Sequence, residues 1–179
     1  MKHVVILIGV MLFFFSSMGT AMSEAPLSVV SIVDLNRYLG KWYEIARYPA
    51  WFQKGCISAT AQYSLLDNGK IQVLNRCYKD SLDGALKESK GKAEVVDTTT
   101  NAKLKVWFFW PFKGDYWVID LSPDYQWAVV GEPSRKYLWI LSRTPVMGET
   151  VYQGILERLP GKGYDPDKLI TSEQPATIQ

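Results

Sequence analysis

Between residues 42 and 143, hydrophobic and polar residues alternate in short segments that turn residues separate. An alternation with a period of two is typical of β-strands that bury one face. The segments with this pattern are residues 42–47, 56–66, 71–78, 89–96, 102–110, 116–121, 125–130 and 136–143. Asp67-Asn68-Gly69-Lys70 lies between the second and third and is typical of a hairpin, because Asn-Gly tolerates positive φ. The pattern therefore predicts eight short strands.

After the eighth segment the period changes. Val151, Ile155 and Leu159 recur at a spacing of four within residues 148–159, which predicts an amphipathic helix. Residues 168–172 could add a short last strand. Eight evenly spaced strands are compatible with a sandwich or a barrel, and the short connections favour the barrel. We therefore predict an all-β fold, an eight-stranded antiparallel up-and-down β-barrel with the C-terminal helix packed outside.

Residues 1–21 have the pattern of a secretory signal peptide. A basic start precedes the apolar run 4–15, and the small residues Gly19 and Ala21 predict cleavage after Ala21. The run is too short to span a bilayer as a mature helix, although a retained membrane anchor is the alternative. No cysteine near the cleavage region could accept a lipoprotein-type lipid. We expect an exported, soluble protein, periplasmic or secreted, whose residues 22–179 form one domain.

The net charge and the histidine count exclude several classes of function. The formal net charge is +2 and no basic stripe is present, so we expect no nucleic-acid partner. The single histidine is His3, inside the predicted signal peptide. The mature chain would therefore lack the histidine of Ser-His-Asp and Cys-His enzymes and of histidine metal sites. We expect no catalytic residues, no cofactor and no metal.

The sequence has two cysteines, Cys56 and Cys77. In an exported protein they predict one disulfide, with two free buried thiols as the alternative. Both lie at the same end of the predicted barrel, at the start of the second strand and the end of the third. Two-residue pairing across Asn68-Gly69 would set Cys77 opposite Thr60, so a bulge or a bend must bring the sulfur atoms together.

If each strand reverses direction, Trp42 and Arg143 meet at one end of the barrel. A guanidinium on an indole stabilises such a contact by about 0.5–2 kcal/mol, depending on burial. The turn carrying Asp124 and Tyr125 reaches the same end. We interpret this end as a structural floor of the barrel. It is formed by Gly40, Trp42, Asp124, Tyr125 and Arg143. Glu44 is either a polar partner near this floor or an ordinary satisfied carboxylate.

Small residues on the predicted inward faces leave room for a cavity. They are Ala59, Ala61, Gly91 and Ala93. By strand parity, the candidate lining residues are Tyr63, Val73, Asn75, Val106, Phe108, Tyr116, Val118 and Trp139. For each of them the opposite parity, or plain core packing, is the alternative. Asn75 and Tyr116 could hydrogen-bond the head group of a ligand.

The loops at the other end of the barrel, which we call the rim, are rich in aromatic residues: Trp51, Phe52, Trp110 and Phe112. One interpretation is a surface that touches membrane lipid, accepts an acyl chain or forms a homodimer contact. The other is loop packing or a lid. Lys54 and Lys113 flank these residues and could meet a phosphate or a carboxylate.

Three motifs in order resemble those of the lipocalin family, over essentially the whole mature chain. The first is carried by Asn36, Tyr38, Gly40, Trp42, Tyr43 and Glu44. The second resembles Asp124-Tyr125-Gln126-Trp127-Ala128, with Trp127 where tyrosine is usual, and the third is the arginine that ends Leu138-Trp139-Ile140-Leu141-Ser142-Arg143. Within the family the chain is similar to the branch of bacterial lipocalins, plant temperature-induced lipocalins and apolipoprotein D.

The resemblance implies non-catalytic binding, storage or transport of one small amphipathic lipid, a fatty acid or a lysophospholipid, in membrane maintenance or stress. Many bacterial members are outer-membrane lipoproteins, but the missing acceptor cysteine argues against carrying this anchor over. Two alternatives stay open. One is a lipid- or pigment-modifying enzyme on the same scaffold, for which only Glu44 and Asp120 are candidate acids. The other is an interaction module whose barrel is filled by side chains.

Overall fold

The computed structural model describes residues 25–109 and 111–175. The predicted signal peptide and Trp110 lie outside these ranges. The helices are α1 (Leu35–Tyr38) and α2 (Glu149–Arg158), with 3₁₀ turns at Trp51–Gln53, Pro160–Lys162 and Pro166–Lys168. The strands are β1 (Gly40–Arg47), β2 (Cys56–Leu65), β3 (Ile71–Lys79), β4 (Leu86–Val95), β5 (Lys103–Phe109), β6 (Phe112–Leu121), β7 (Trp127–Gly131), β8 (Leu138–Ser142) and β9 (Ile170–Thr171).

The strands β1 to β8 form a closed antiparallel barrel. Each strand pairs with the next, and β1 pairs with both β2 and β8. The short strand β9 adds to β1 from outside through Ala46 and Arg47. The predicted up-and-down barrel, with one C-terminal helix and a short last strand, is confirmed.

Two strand boundaries differ from the prediction. The strand β4 begins at Leu86, because its polar first half still pairs with β3 as far as Tyr78. The strand β6 begins at Phe112, which pairs with Phe109, so the prediction that residues 111–115 interrupt the sheet was wrong. In both places exposed residues continue the backbone ladder, and hydrophobic alternation cannot reveal them.

Hydrophobic residues pack in two layers, one inside the barrel and one beneath α2. On β7, Val130 packs inward with Trp42, whereas Val129 packs outward with Ile140 and Ile155. The strands under the helix are therefore apolar on both faces, which explains their nearly continuous hydrophobic runs. The helix covers one side of the wall and leaves the inside of the barrel to other residues.

Candidate functional site

The floor is built around Trp42, which is fully buried. Its Nε1 donates to the carbonyl oxygen of Tyr38 at 2.8 Å. The Arg143 guanidinium lies 3.7 Å from the centroid of the indole and donates to the carbonyl oxygens of Lys41 (2.9 Å), Arg37 (2.6 Å) and Tyr125 (3.3 Å). The short helix α1 and the β1 start are thereby held across the end of the barrel.

The remaining predicted floor residues lie at the same end. Gly40 has a φ of +94°, and an added Cβ would lie 3.3 Å from Nη1 of Arg143. Only glycine adopts this backbone without strain. The Tyr125 hydroxyl accepts the Asp34 amide N–H at 2.8 Å, and Asp124 accepts the Gln126 N–H in the same turn.

Above this floor lies a cavity of about 980 Å³ that is continuous with the rim. Seven of the eight predicted lining residues border it: Tyr63, Val73, Asn75, Val106, Phe108, Tyr116 and Trp139. Val118 lies elsewhere, fully buried in the cluster that contains Trp42 and Tyr38. The alternation along the strand predicts that Val118 faces the inside of the barrel, but it does not predict how far along the barrel axis the residue lies.

Three tyrosines form the polar part of the cavity bottom. The Tyr116 hydroxyl lies 2.8 Å from that of Tyr38 and 3.0 Å from that of Tyr63. Burial raises the pKa of Tyr63 to about 12, and burial raises the pKa of Tyr38 and of Tyr116 as well. All three hydroxyls are therefore neutral near pH 7. Sequence reasoning missed Tyr38 as a lining residue, although its place four residues before Trp42 was visible.

Asn75 is a polar residue of the cavity wall. It lies on β3 and pairs with Ala61 on β2 and Ser89 on β4. Val73, two residues earlier on the same face of β3, pairs with Tyr63. Its Oδ1 is shielded from solvent and has no hydrogen-bond partner in the described part of the chain. The amide can bind a ligand group without giving up an existing contact.

Glu44 and Arg47 form a buried ion pair beside the cavity. Arg47 Nε lies 3.1 Å from Glu44 Oε1, and both residues are buried. Gln53 donates to Glu44 Oε2 at 2.8 Å and accepts from Nε1 of Trp139 at 2.8 Å. Ser172 also donates to Glu44. Glu44 is thus a satisfied carboxylate that anchors the rim turn, and it makes none of the floor contacts described above.

The other candidate acid, Asp120, does not line the cavity. Its Oδ2 accepts from Nε of Arg158 on α2 at 2.8 Å. Neither acid is thus an unpaired carboxylate in the cavity. Within residues 25–109 and 111–175, no group of three or more His, Cys, Asp or Glu side chains is arranged to hold a metal ion.

A seam between β1 and β2 is closed by the C-terminal segment. Direct pairing of the two strands ends at Tyr43 and Thr60. Beyond it, the Gln174 side-chain amide donates to the carbonyl oxygens of Glu44 (2.8 Å) and Ala59 (2.9 Å). One side chain thus replaces the missing ladder bonds. Sequence reasoning missed this contact, since nothing local links Gln174 to residues so distant in the chain.

Cys56 and Cys77 form a disulfide with a Cα–Cα distance of 5.3 Å, as predicted. The β2–β3 register shifts between Ile57 and Thr60, where Ser58 has a φ of 54°. This is the bulge that the sequence required. The disulfide borders the cavity on the rim side of Asn75.

The rim exposes aromatic side chains to an unusual degree. The exposed fractions are 81% for Trp51, 51% for Phe52, 76% for Phe109 and 78% for Phe112. All four border the cavity, and so do charged residues of both signs: Arg76, Lys87, Glu88, Lys113, Asp115 and Glu132. The site is therefore an apolar chamber with neutral polar groups deep inside and charges around its opening.

The comparisons with known proteins agree with this architecture. A family model described as a lipocalin-like domain matches residues 33–174. The chain belongs to the lipocalin family, so the resemblance inferred from its motifs is confirmed. Such a barrel is consistent with the binding of a small hydrophobic ligand.

Three relatives place the chain within the family. Outer membrane lipoprotein Blc of Escherichia coli strain K12 is 44% identical over 151 residues, covering 84% of this chain and 85% of the relative. Temperature-induced lipocalin-1 of Arabidopsis thaliana is 42% identical over 162 residues, covering 86% of each chain. Apolipoprotein D of Mus musculus is 37% identical over 152 residues, covering 79% of this chain and 77% of the relative. These are the three groups that the motifs indicated.

Solved structures agree on the fold. Insecticyanin from the tobacco hornworm Manduca sexta superposes with a TM-score of 0.64 at 21% identity, covering 85% of this chain and 89% of that chain. At this identity the likeness establishes the fold alone. No helix within residues 25–109 and 111–175 combines the length and the apolar character needed to cross a bilayer.

Proposed function

We propose that the protein binds one small amphipathic lipid, a fatty acid or a lysophospholipid, non-covalently in the barrel cavity. The observation that carries the proposal is the cavity of about 980 Å³, closed by the floor and open at the rim. Its volume falls at the upper end of the range of about 300–1,000 Å³ that small-ligand pockets occupy. The role we propose is storage or transport without chemical turnover.

Affinity would come mainly from burial of the acyl chain. Each buried CH₂ contributes about 0.8 kcal/mol before the cost of ordering the chain is subtracted. Val73, Val106 and Phe108 supply the apolar wall, and the charged residues lie at the opening. Lys87 would hold a carboxylate or phosphate head group there, where water can still solvate it, whereas the Lys113 ammonium is already paired with Glu94.

The binding test is a calorimetric titration with a long-chain fatty acid and with a lysophospholipid below its micelle concentration. We expect a stoichiometry of one and micromolar or tighter affinity for at least one of them. Ala61→Trp would fill the cavity from β2 and abolish binding, whereas Ser64→Trp, at an exposed position of the same strand, would not. No binding of either lipid would refute the proposal, and unchanged binding by Ala61→Trp would move the ligand out of the cavity.

We propose further that the rim touches membrane lipid while the ligand is exchanged. Four exposed aromatics around an opening form the kind of apolar surface that marks an interaction site. Vesicle flotation of a Trp51→Ser/Phe112→Ser variant should show weakened binding, and Ile32→Ser, an exposed apolar residue elsewhere, serves as the control. Loss of a dimer in size-exclusion chromatography, without any vesicle effect, would instead assign the rim to a homodimer.

We also propose that the protein is exported and takes part in membrane maintenance. A disulfide persists in oxidising compartments such as the periplasm or the extracellular space. The Escherichia coli relative is named an outer membrane lipoprotein and the Arabidopsis relative is named temperature-induced. Fractionation of the source cells, with the thiol state of Cys56 and Cys77 as a second readout, tests the location.

A further inference from the structure

The three tyrosine hydroxyls at the cavity bottom have more O–H donors than there are hydrogen bonds between them. Each hydroxyl has one proton, and the cluster contains two hydrogen bonds, Tyr38 to Tyr116 and Tyr63 to Tyr116. The three hydroxyls make no other hydrogen bond within residues 25–109 and 111–175. One O–H donor is therefore left over, whichever way the two bonds run.

The leftover donor lies at the bottom of the cavity, away from the rim. Tyr38 is 6% exposed and Tyr63 is 8% exposed, Tyr116 is half-buried, and all three tyrosines border the cavity. A buried donor without an acceptor is rare in native proteins, because its desolvation is not repaid. Burial raises the pKa of Tyr63 to about 12, so the donor persists over the physiological pH range. A ligand that reaches the bottom meets an unused O–H group there.

A second, independent group lies one step above the tyrosines. The Asn75 amide borders the cavity and its Oδ1 has no partner in the described chain. The positively charged lining residues, by contrast, lie towards the rim: Lys87 pairs with Cys77, and Lys113 follows Phe112. A buried carboxylate without a cation is costly. The depth of the cavity therefore suits a neutral oxygen, and the rim suits an ionised group.

We propose that the Tyr38–Tyr116–Tyr63 cluster and Asn75 form a subsite that recognises a neutral oxygen, a hydroxyl or a carbonyl, at the leading end of the ligand. This inference rests on the proposed lipid binding and makes it more specific. The fitting ligand is an acyl chain oxygenated at its far end, with its anionic group at the rim. The tyrosine O–H donates to the ligand oxygen, and a ligand hydroxyl can donate to a tyrosine oxygen or to the Asn75 amide.

The test compares three sets of ligands on the wild-type protein: saturated fatty acids of increasing chain length, their ω-hydroxy counterparts, and isomers hydroxylated in mid-chain. A hydroxyl buried without a partner weakens binding by about five- to 150-fold. We expect this loss for the mid-chain isomers whose hydroxyl lies beyond the reach of both Asn75 and the tyrosines. At the chain length that reaches the tyrosines, the ω-hydroxy acid should bind at least as tightly as its parent.

The matched variant is Tyr38→Phe/Tyr63→Phe/Tyr116→Phe. It keeps the ring shapes and removes all three hydroxyls together, so no donor is left unpaired. We expect the affinity of the ω-hydroxy acid relative to that of the parent acid to fall by about five- to 150-fold, whatever the variant does to the parent acid itself. Tyr63→Phe alone leaves two protons for one hydrogen bond and should keep the preference. Tyr152→Phe on α2, outside the cavity lining, is the control and should change neither affinity.

The outcomes separate this inference from the proposed function. If no fatty acid binds, the proposed function fails and the subsite fails with it. If fatty acids bind but every ω-hydroxy acid is as weak as its mid-chain isomer, the subsite is refuted and lipid binding stands. A triple variant that binds the ω-hydroxy acid like the wild type also refutes it. Should the triple variant not fold, the comparison of the two isomers on the wild type decides, since they differ only in the position of the oxygen.

Discussion

The guanidinium of Arg143 lies 3.7 Å from the centre of the Trp42 indole and joins the end of β8 to the start of β1. The same group donates to three backbone carbonyls, including that of Arg37 at 2.6 Å. One side chain thus holds α1, the first strand and the turn before β7 in place. Closure of the barrel end, and with it the depth of the cavity, depends on this contact.

Arg143→Met should destabilise the fold by about 2–4 kcal/mol, because it removes the cation–π contact and leaves the carbonyls without a donor. Urea unfolding followed by tryptophan fluorescence measures the change. The control is Arg158→Met. Arg158 is an exposed residue of α2 that also makes a cation–π contact, 5.2 Å from the centroid of the Trp127 ring on β7. That change should cost at most about 1 kcal/mol. Equal losses in the two variants would refute the special role of the floor arginine.

Glu44→Gln should cost about 3–5 kcal/mol, because it leaves Arg47 buried without its counter-charge. The double variant Glu44→Gln/Arg47→Met removes both charges and should recover most of this loss. The double-mutant cycle, measured by urea unfolding, isolates the coupling between the two residues. A double variant as unstable as the sum of the single variants would show that the pair does not act as a unit.

Removal of the disulfide, which borders the cavity, should lower stability without abolishing lipid binding. Cys56 and Cys77 are 21 residues apart, and closing a loop of this size in the unfolded chain stabilises the folded state by about 3 kcal/mol. Cys56→Ala/Cys77→Ala should therefore melt well below the wild type in calorimetry. Its lipid stoichiometry at a temperature where it is folded should stay at one. A melting temperature equal to that of the oxidised wild type would contradict this account.

The tyrosine cluster predicts a loss of stability at alkaline pH. Burial raises the pKa of Tyr63 to about 12, above its ordinary value near 10. The unfolded chain then loses its proton first, so the stabilisation is complete below pH 10 and falls as the pH rises towards 12. The slope is about 1.4 kcal/mol per pH unit for this residue, and the raised pKa of Tyr38 and Tyr116 adds to it.

Urea unfolding between pH 9 and pH 12, with tyrosinate absorbance as a second signal, measures this effect. The triple phenylalanine variant should show a flatter profile, and its remaining slope should include that of Tyr164, whose pKa burial raises to about 12. If tyrosinate absorbance showed that all three cluster residues ionise in the folded protein near pH 10, the ordinary pKa of tyrosine, the cluster would be open to solvent.

The sequence predicted the parts of this structure that depend on local pattern. Period-two alternation gave the eight strands, and reversal of direction brought Trp42 and Arg143 to one end. Parity gave the inward face of β3, including Asn75. Each of these inferences uses information carried by neighbouring residues.

The features that sequence reasoning missed depend on contacts between residues far apart in the chain, or on the position of a residue along the barrel axis. Gln174 bridges the carbonyl oxygens of Glu44 and Ala59 from the far end of the chain, and no local pattern announces such a contact. Val118 points inward as predicted, but it lies with Trp42 in the buried cluster and does not border the cavity. Tyr38 enters the site because α1 closes the floor, which strand arithmetic does not describe.

The central claim is that this barrel holds one lipid in its cavity, and native mass spectrometry tests it most directly. The protein is mixed with a long-chain fatty acid or a lysophospholipid at micromolar concentration and the intact mass is recorded. We predict a mass increase of one lipid per chain for the wild type and for Ser64→Trp, and none for Ala61→Trp. An unchanged wild-type mass with both lipids, or the same increase in Ala61→Trp, would contradict the account.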